Sequence, residues 1–68
     1  MNLAHLHHMA NQIALNFAVQ GEAKAVAATT QHLRAYWDPR MRAAIVDGDR
    51  DGLSAIARAA VEGLGERL

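Results

Sequence analysis

Leu-Arg-Ala-Tyr-Trp-Asp-Pro-Arg-Met-Arg, residues 33–42, decides how this chain folds. Pro39 lacks a backbone N–H and has a fixed φ, which suits the first position of a helix. It also disfavours helical backbone at Asp38, and aspartate is a good N-cap. The stretch therefore predicts a helix that ends at Tyr36 or Trp37, a sharp turn, and a new helix that begins at Pro39.

Helical spacing continues on both sides of this corner, and no segment shows the alternation of a β-strand. We expect helices over roughly residues 3–19, 22–37, 39–46 and 54–64, with helix two beginning at residue 22 or 23. The sequence predicts the all-α fold class, as one compact domain of three to four short helices over residues 1–68. The apolar stripes expected in its core are Leu3, Leu6, Ala10, Ile13 and Phe17 in helix one, Val26, Thr30, Leu33 and Trp37 in helix two, Met41 and Ile45 in helix three, and Leu53, Ile56, Ala57, Ala60, Val61 and Leu64 in helix four.

The composition predicts a domain that is only marginally stable alone. Hydrophobic residues make up 51% of the 68 residues, but 15 of them are alanines, which bury little area. Domains of this size usually need a disulfide, a metal or a partner. The chain has no cysteine, which removes disulfides, thiolate metal ligands and a cysteine nucleophile. A partner protein is the remaining stabiliser.

Charge is balanced overall and unevenly distributed. The formal net charge of zero argues against a general nucleic-acid binder, whose affinity comes from excess Lys and Arg. Residues 1–21 contain no Asp, Glu, Lys or Arg, but histidines and amides interrupt them, so they predict neither a membrane span nor a secretory signal. We expect a cytoplasmic protein without a membrane or nucleic-acid partner.

Two surfaces are candidates for contact with a partner protein. Helix one carries uncharged polar and aliphatic residues opposite its core stripe, where a free surface helix would carry Lys and Glu. Arg34, Arg40 and Arg42 surround Trp37 at the corner, and Arg and Trp are frequent binding anchors. A solvated face around a half-buried Trp37 is the competing interpretation, because Trp37 is in phase with Leu33. The predicted interface residues are His8, Asn11, Gln12, Leu15, Arg34, Trp37, Arg40 and Arg42, with Asn11 and Gln12 expected to hydrogen-bond across or beside the interface.

No pattern indicates chemistry carried by this chain. His5 and His8 have the i, i+3 spacing of a zinc pair, but no third ligand lies near them in sequence. Residues 47–52, Asp-Gly-Asp-Arg-Asp-Gly, match half of a calcium loop, whose required Glu at position twelve is Arg58 here. Ser54 reads as a helix cap rather than a nucleophile. We therefore expect no metal, no bound cofactor and no catalytic residues in this chain.

Two blocks carry a resemblance to a known family. One is Met-Ala-Asn-Gln-Ile-Ala at residues 9–14, followed by Phe17. The other is His-Leu-Arg-Ala-Tyr-Trp-Asp-Pro-Arg-Met-Arg at residues 32–42. In this order, and followed by Gly-Leu-Ser at residues 52–54, they resemble the delta subunit of the soluble NAD-dependent formate dehydrogenases that use molybdenum or tungsten. The family often has Pro where this chain has Ala55.

The resemblance implies a non-catalytic accessory subunit of an oxidoreductase complex. In that family the alpha subunit holds the molybdopterin centre and Fe–S clusters, and the beta and gamma subunits carry FMN, further clusters and the NAD site. The delta chain would bind none of these groups and would dock on the alpha subunit, which it would stabilise or assemble. Two alternatives stay open: a transient assembly chaperone for that subunit, and a small helical nucleic-acid-binding regulator that uses Arg34, Arg40 and Arg42.

Overall fold

Local capping residues set the helix boundaries of this chain. The computed structural model describes residues 2–66, with only the backbone of residue 66. Within that part the elements are α1 (Leu3–Phe17), a 3₁₀ turn (Ala18–Gln20), α2 (Glu22–Tyr36), α3 (Pro39–Asp47) and α4 (Ala55–Glu66). No strand occurs among them, so the predicted all-α fold class is confirmed. The predicted helix ends agree with the observed ones to within about two residues, the usual uncertainty at a helix end.

The predicted corner is confirmed in its geometry. Asp38 has an extended backbone and its carboxylate accepts a hydrogen bond from the Met41 N–H at 2.9 Å, as an N-cap should. Pro39 is the first residue of α3. Between α1 and α2 the chain turns at Gly21, whose φ of 94° only glycine adopts without strain.

The core is one cluster to which all four helices contribute. Its buried members are Leu6, Ala10, Ala14, Leu33, Trp37, Ile45, Ala57, Val61 and Leu64. The helix-four stripe is confirmed by the burial of Ala57, Ala60, Val61 and Leu64. In α1 the most buried residues are Leu6, Ala10 and Ala14, so the stripe is centred closer to Ala14 than predicted, while Leu3, Ile13 and Phe17 lie half-buried at its edge.

The most extensive helix pair is α2 against α4, and small side chains make it. In α2 the buried residues are Ala25, Thr29 and Leu33, whereas Val26 and Thr30 are half-buried. The predicted stripe of α2 is therefore confirmed at Leu33 and Trp37 and wrong at Val26 and Thr30, since Ala25 and Thr29 are buried in their place. The physical reason is distance: the facing residues of α4 include Ala57 and Ala60, and alanine on both helices lets the backbones approach closely.

Candidate functional site

One face of α1 is exposed and uncharged. Leu15 is 68% exposed and Val19, in the 3₁₀ turn, is 90% exposed. His8 and Gln12 lie exposed on the same side of the helix, because His8, Gln12, Leu15 and Val19 follow one another at spacings of four, three and four residues. The sequence placed these four residues opposite the core stripe, and the structure leaves them without cover from any described residue. The face therefore presents aliphatic surface with only amide and imidazole groups beside it.

An open groove of about 360 Å³ runs along the edge of this face, between α1 and the beginning of α4. Three of the predicted interface residues, Asn11, Gln12 and Leu15, line its α1 wall. None of the described residues that line the groove is charged. These residues are Asn11, Gln12, Ala14, Leu15, Ala18, Ser54, Ala55 and Ile56.

Asn11 is the residue that joins the two walls. Its Nδ2 donates to the Gly52 carbonyl at 2.9 Å, and its Oδ1 accepts from the Ser54 N–H at 2.8 Å. Both bonds lie within the chain, so Asn11 fixes the loop that precedes α4. The sequence had placed the hydrogen bonds of Asn11 across or beside the partner interface. No local signal could have found these partners, because both are backbone groups more than forty residues away.

The same loop packs against α1 through His7 and Gly52. A Cβ atom added at Gly52 would overlap the imidazole ring of His7, so the loop reaches α1 only because residue 52 has no side chain. Ser54 then caps α4, since its Oγ accepts from the Ala57 N–H at 3.3 Å. Together these contacts hold the first turn of α4 beside α1 and so form the groove.

The arginine corner has a largely internal role. Arg42 Nη1 donates to the carbonyl of Arg34 at 3.1 Å and also to that of Trp37, and these are carbonyls at the end of α2. Trp37 is 5% exposed and belongs to the core cluster, which agrees with its phase with Leu33 and leaves no indole for a partner. Arg34 and Arg40 are exposed, and no ion pair of either is formed within the described residues. Of the corner residues, Arg34 and Arg40 therefore remain exposed, whereas Trp37 and Arg42 make contacts within the chain.

The acidic turn at residues 47–52 behaves as a turn. Asp49 Oδ1 accepts from the Asp51 N–H at 3.0 Å, the local bond expected of an aspartate in a turn. Arg50 lies among the aspartates, where it donates to the Val46 carbonyl at 2.9 Å and lies 3.9 Å from Glu62. Across the described part of the chain, no three His, Asp or Glu side chains come together as a metal site would require.

A profile of known sequences decides the family. The profile described as NADH-dependent formate dehydrogenase delta subunit FdsD matches residues 5–61 of the 68-residue chain. The chain belongs to this family. Neither a curated protein nor a solved structure matches the chain significantly. The matched residues of this delta-subunit family member include both walls of the groove and the arginine corner.

The helices described here are too short or too polar to cross a bilayer.

The sequence identified the α1 wall of the groove but missed Ser54, Ala55 and Ile56 on the opposite wall. Ser54 was assigned only to capping, and Ile56 only to the core stripe of helix four. Both assignments are correct for the helix itself, and only the tertiary contact through Asn11 brings these residues to the edge of α1.

Proposed function

We propose that this chain is a non-catalytic accessory subunit that docks on the large, molybdopterin-containing alpha subunit of a NAD-dependent formate dehydrogenase and stabilises or assembles it. Membership of the delta-subunit family supports a place in that enzyme complex. The single observation that carries the docking role is the uncharged face of α1, where Leu15 and Val19 are exposed.

Burial of this face is energetically favourable only against another protein surface. Leu15 and Val19 would each contribute about 1.5–3 kcal/mol if fully buried. A free surface helix of a small domain would instead carry charge there, as the other helices do with Lys24, Arg40 and Arg58. The marginal core gives a second reason, since contact with a large partner would supply stability that a 68-residue chain lacks.

The cofactors of the reaction belong, in this proposal, to the other subunits. The alpha subunit would hold the molybdopterin centre and Fe–S clusters, and the beta and gamma subunits would hold FMN, further clusters and the NAD site. This chain has no cysteine with which to ligate a cluster. Its groove also contains no pair of acid, base or nucleophile side chains positioned for catalysis.

Copurification tests the docking role. The tagged chain is co-expressed with the other subunits, recovered through the tag, and weighed as an intact complex by native mass spectrometry. Wild type should retain the alpha subunit, whereas Leu15→Glu and Val19→Glu should each retain about tenfold less, which corresponds to about 1.4 kcal/mol. Ala43→Glu, at an exposed position on α3, is the matched control and should behave as wild type.

Two results would change the conclusion. If wild-type chain is missing from every fraction that contains the alpha subunit, the accessory-subunit proposal fails. If the chain accompanies only an alpha subunit that lacks its cofactor, and is missing from the finished enzyme, its role is that of a transient assembly chaperone rather than a permanent subunit.

A further inference from the structure

The surface of α1 beside the groove has the form of a ridge next to a trough. Leu15 and Val19, four residues apart, stand exposed as the ridge. Ala14 and Ala18, also four residues apart, form the floor beside it and line the groove. Rows of residues at i, i+4 spacing are the rows through which packed helices interlock, with the ridge of one helix in the trough of the other.

We propose that this groove receives one helix of the alpha subunit, and that the contacting side of that helix is uncharged. The inference rests on the proposed function and specifies where on this chain docking occurs. The groove lies between two helices and is open along α1, so an elongated element fits it better than a compact side-chain cluster. Its small floor residues, Ala14, Ala18 and Ala55, allow a helix to approach closely.

Electrostatic complementarity specifies the chemistry of that helix. Among the described residues, no Lys, Arg, Asp or Glu lines the groove, and residues 1–21 contain none of these four residue types. A Lys, Arg, Asp or Glu placed there by a partner would lose its hydration without gaining a counter-charge, which is costly. The helix should therefore present aliphatic side chains to the floor formed by Ala14, Ala18 and Ala55.

The amide of Gln12 is available to a partner at the rim of the groove. Asn11 already donates an N–H to the Gly52 carbonyl and accepts from the Ser54 N–H. Gln12 is exposed and its amide has no hydrogen-bond partner among the described residues. A hydroxyl, amide or backbone carbonyl on the incoming helix should meet Gln12 at the rim, and this contact would fix the register of docking.

A second copy of this chain fits the same surface poorly. In a two-fold pair, antiparallel α1 helices centred near residues 12–15 would set Gln12 against Leu15 and His8 against Val19, which pairs polar with apolar groups. If Leu15 of one copy instead faces Val19 of the other, the two α1 helices would have to overlap beyond Phe17, where α1 ends. The first arrangement leaves the aliphatic ridge against polar groups, and the second needs helix beyond the end of α1.

Cysteine footprinting on the assembled complex tests the inference, and the absence of native cysteine in this chain makes the labelling specific. Single variants Leu15→Cys and Ala55→Cys report the two walls of the groove. Asn16→Cys and Ala43→Cys are controls at exposed positions of α1 and α3 that do not line it. Maleimide labelling is compared between the free chain and the copurified complex by mass spectrometry.

The expected result is at least a tenfold slower labelling of both groove positions in the complex, with the two controls unchanged. If Leu15→Cys is protected while Ala55→Cys reacts as in the free chain, the α1 face docks without filling the groove and the helix inference is overturned, although the proposed function stands. Protection in the free chain, together with a dimer mass, would assign the groove to a second copy. Loss of copurification by wild type would instead overturn the proposed function.

Discussion

Asn11 on α1 accepts a hydrogen bond at 2.8 Å from the backbone N–H of Ser54, 43 residues later in the chain. The same side chain donates to the Gly52 carbonyl, so a single amide fixes both the end of the α3–α4 loop and the start of α4. This pair of bonds is one of the contacts that hold the first turn of α4 beside α1 and so form the groove. Stability and the proposed docking surface are therefore linked at one residue.

Replacing Asn11 by Ala should destabilise the chain and loosen the groove. Loss of the two bonds should lower the free energy of unfolding by about 1–3 kcal/mol, since each bond contributes about 0.5–1.5 kcal/mol. For a domain of this size the melting temperature should fall by about 4–8 °C per kcal/mol. Thermal unfolding followed by circular dichroism measures this. Gln12→Ala is the control, and equal losses for the two variants would show that the bonds of Asn11 contribute nothing.

Arg42 and Arg40 should differ in their effect on stability although they are two residues apart. Arg42→Ala removes the guanidinium from the Arg34 and Trp37 carbonyls and should cost about 1–2 kcal/mol, as expected for hydrogen bonds to a charged group that is half-buried. Arg40 is exposed, and Arg40→Ala should change stability by less than about 0.5 kcal/mol. Urea unfolding distinguishes the two variants, and similar midpoints would contradict the capping role of Arg42.

Two neighbouring threonines of α2 should respond in opposite directions to the same change. Thr29 is fully buried, and its hydroxyl has no hydrogen-bond partner within the described residues, so Thr29→Val should stabilise the chain by about 1 kcal/mol. The Thr30 hydroxyl donates to the carbonyls of Val26 at 2.8 Å and Ala60 at 3.3 Å, so Thr30→Val should destabilise it by about 1 kcal/mol. Unfolding curves with the same sign for both variants would show that packing, not hydrogen bonding, decides these positions.

The affinity for the alpha subunit should depend little on salt. Contact through an uncharged groove involves no exposed ion pair for salt to screen, whereas docking through Arg34 and Arg40 would weaken as ionic strength rises. Binding measured between about 0.1 M and about 1 M salt should change less than about threefold, given a Debye length that falls from about 10 Å to about 3 Å. A steep loss of affinity at the higher salt would move the interface to the arginine corner.

The parts of the fold that follow from local chemistry were predictable, and the parts that depend on backbone distance were not. Asp38 and Pro39 set the beginning of α3 through their own backbone preferences, and the structure confirms both. The stripe of α2 was misplaced because Val26 is more hydrophobic than Ala25. The structure instead buries Ala25, since the close approach of α2 and α4 leaves room only for a small side chain.

The residues of the candidate site were likewise predictable only where the signal is local. Because α1 carries no Lys, Arg, Asp or Glu opposite its core stripe, the sequence indicated Gln12 and Leu15 as candidate contact residues, and both line the groove. Ala55 carries no sequence signal at all, because its position beside α1 follows from the loop that Asn11 holds. Arg42 did have a signal that could be read in advance: a cation that follows a helix end closely can reach that helix's last carbonyls.

The alanine-rich contact of α2 with α4 limits how this sequence can diverge. Ala25, Ala57 and Ala60 are fully buried, and any replacement except glycine adds volume where none is free. Glycine in turn weakens the helix itself. Substitutions at these positions are therefore restricted in both directions, whereas the proposed docking face on the exposed side of α1 would be free to change together with the surface that it meets. Among relatives, we expect the seam between α2 and α4 to vary least and the docking face to vary in step with the surface that it meets.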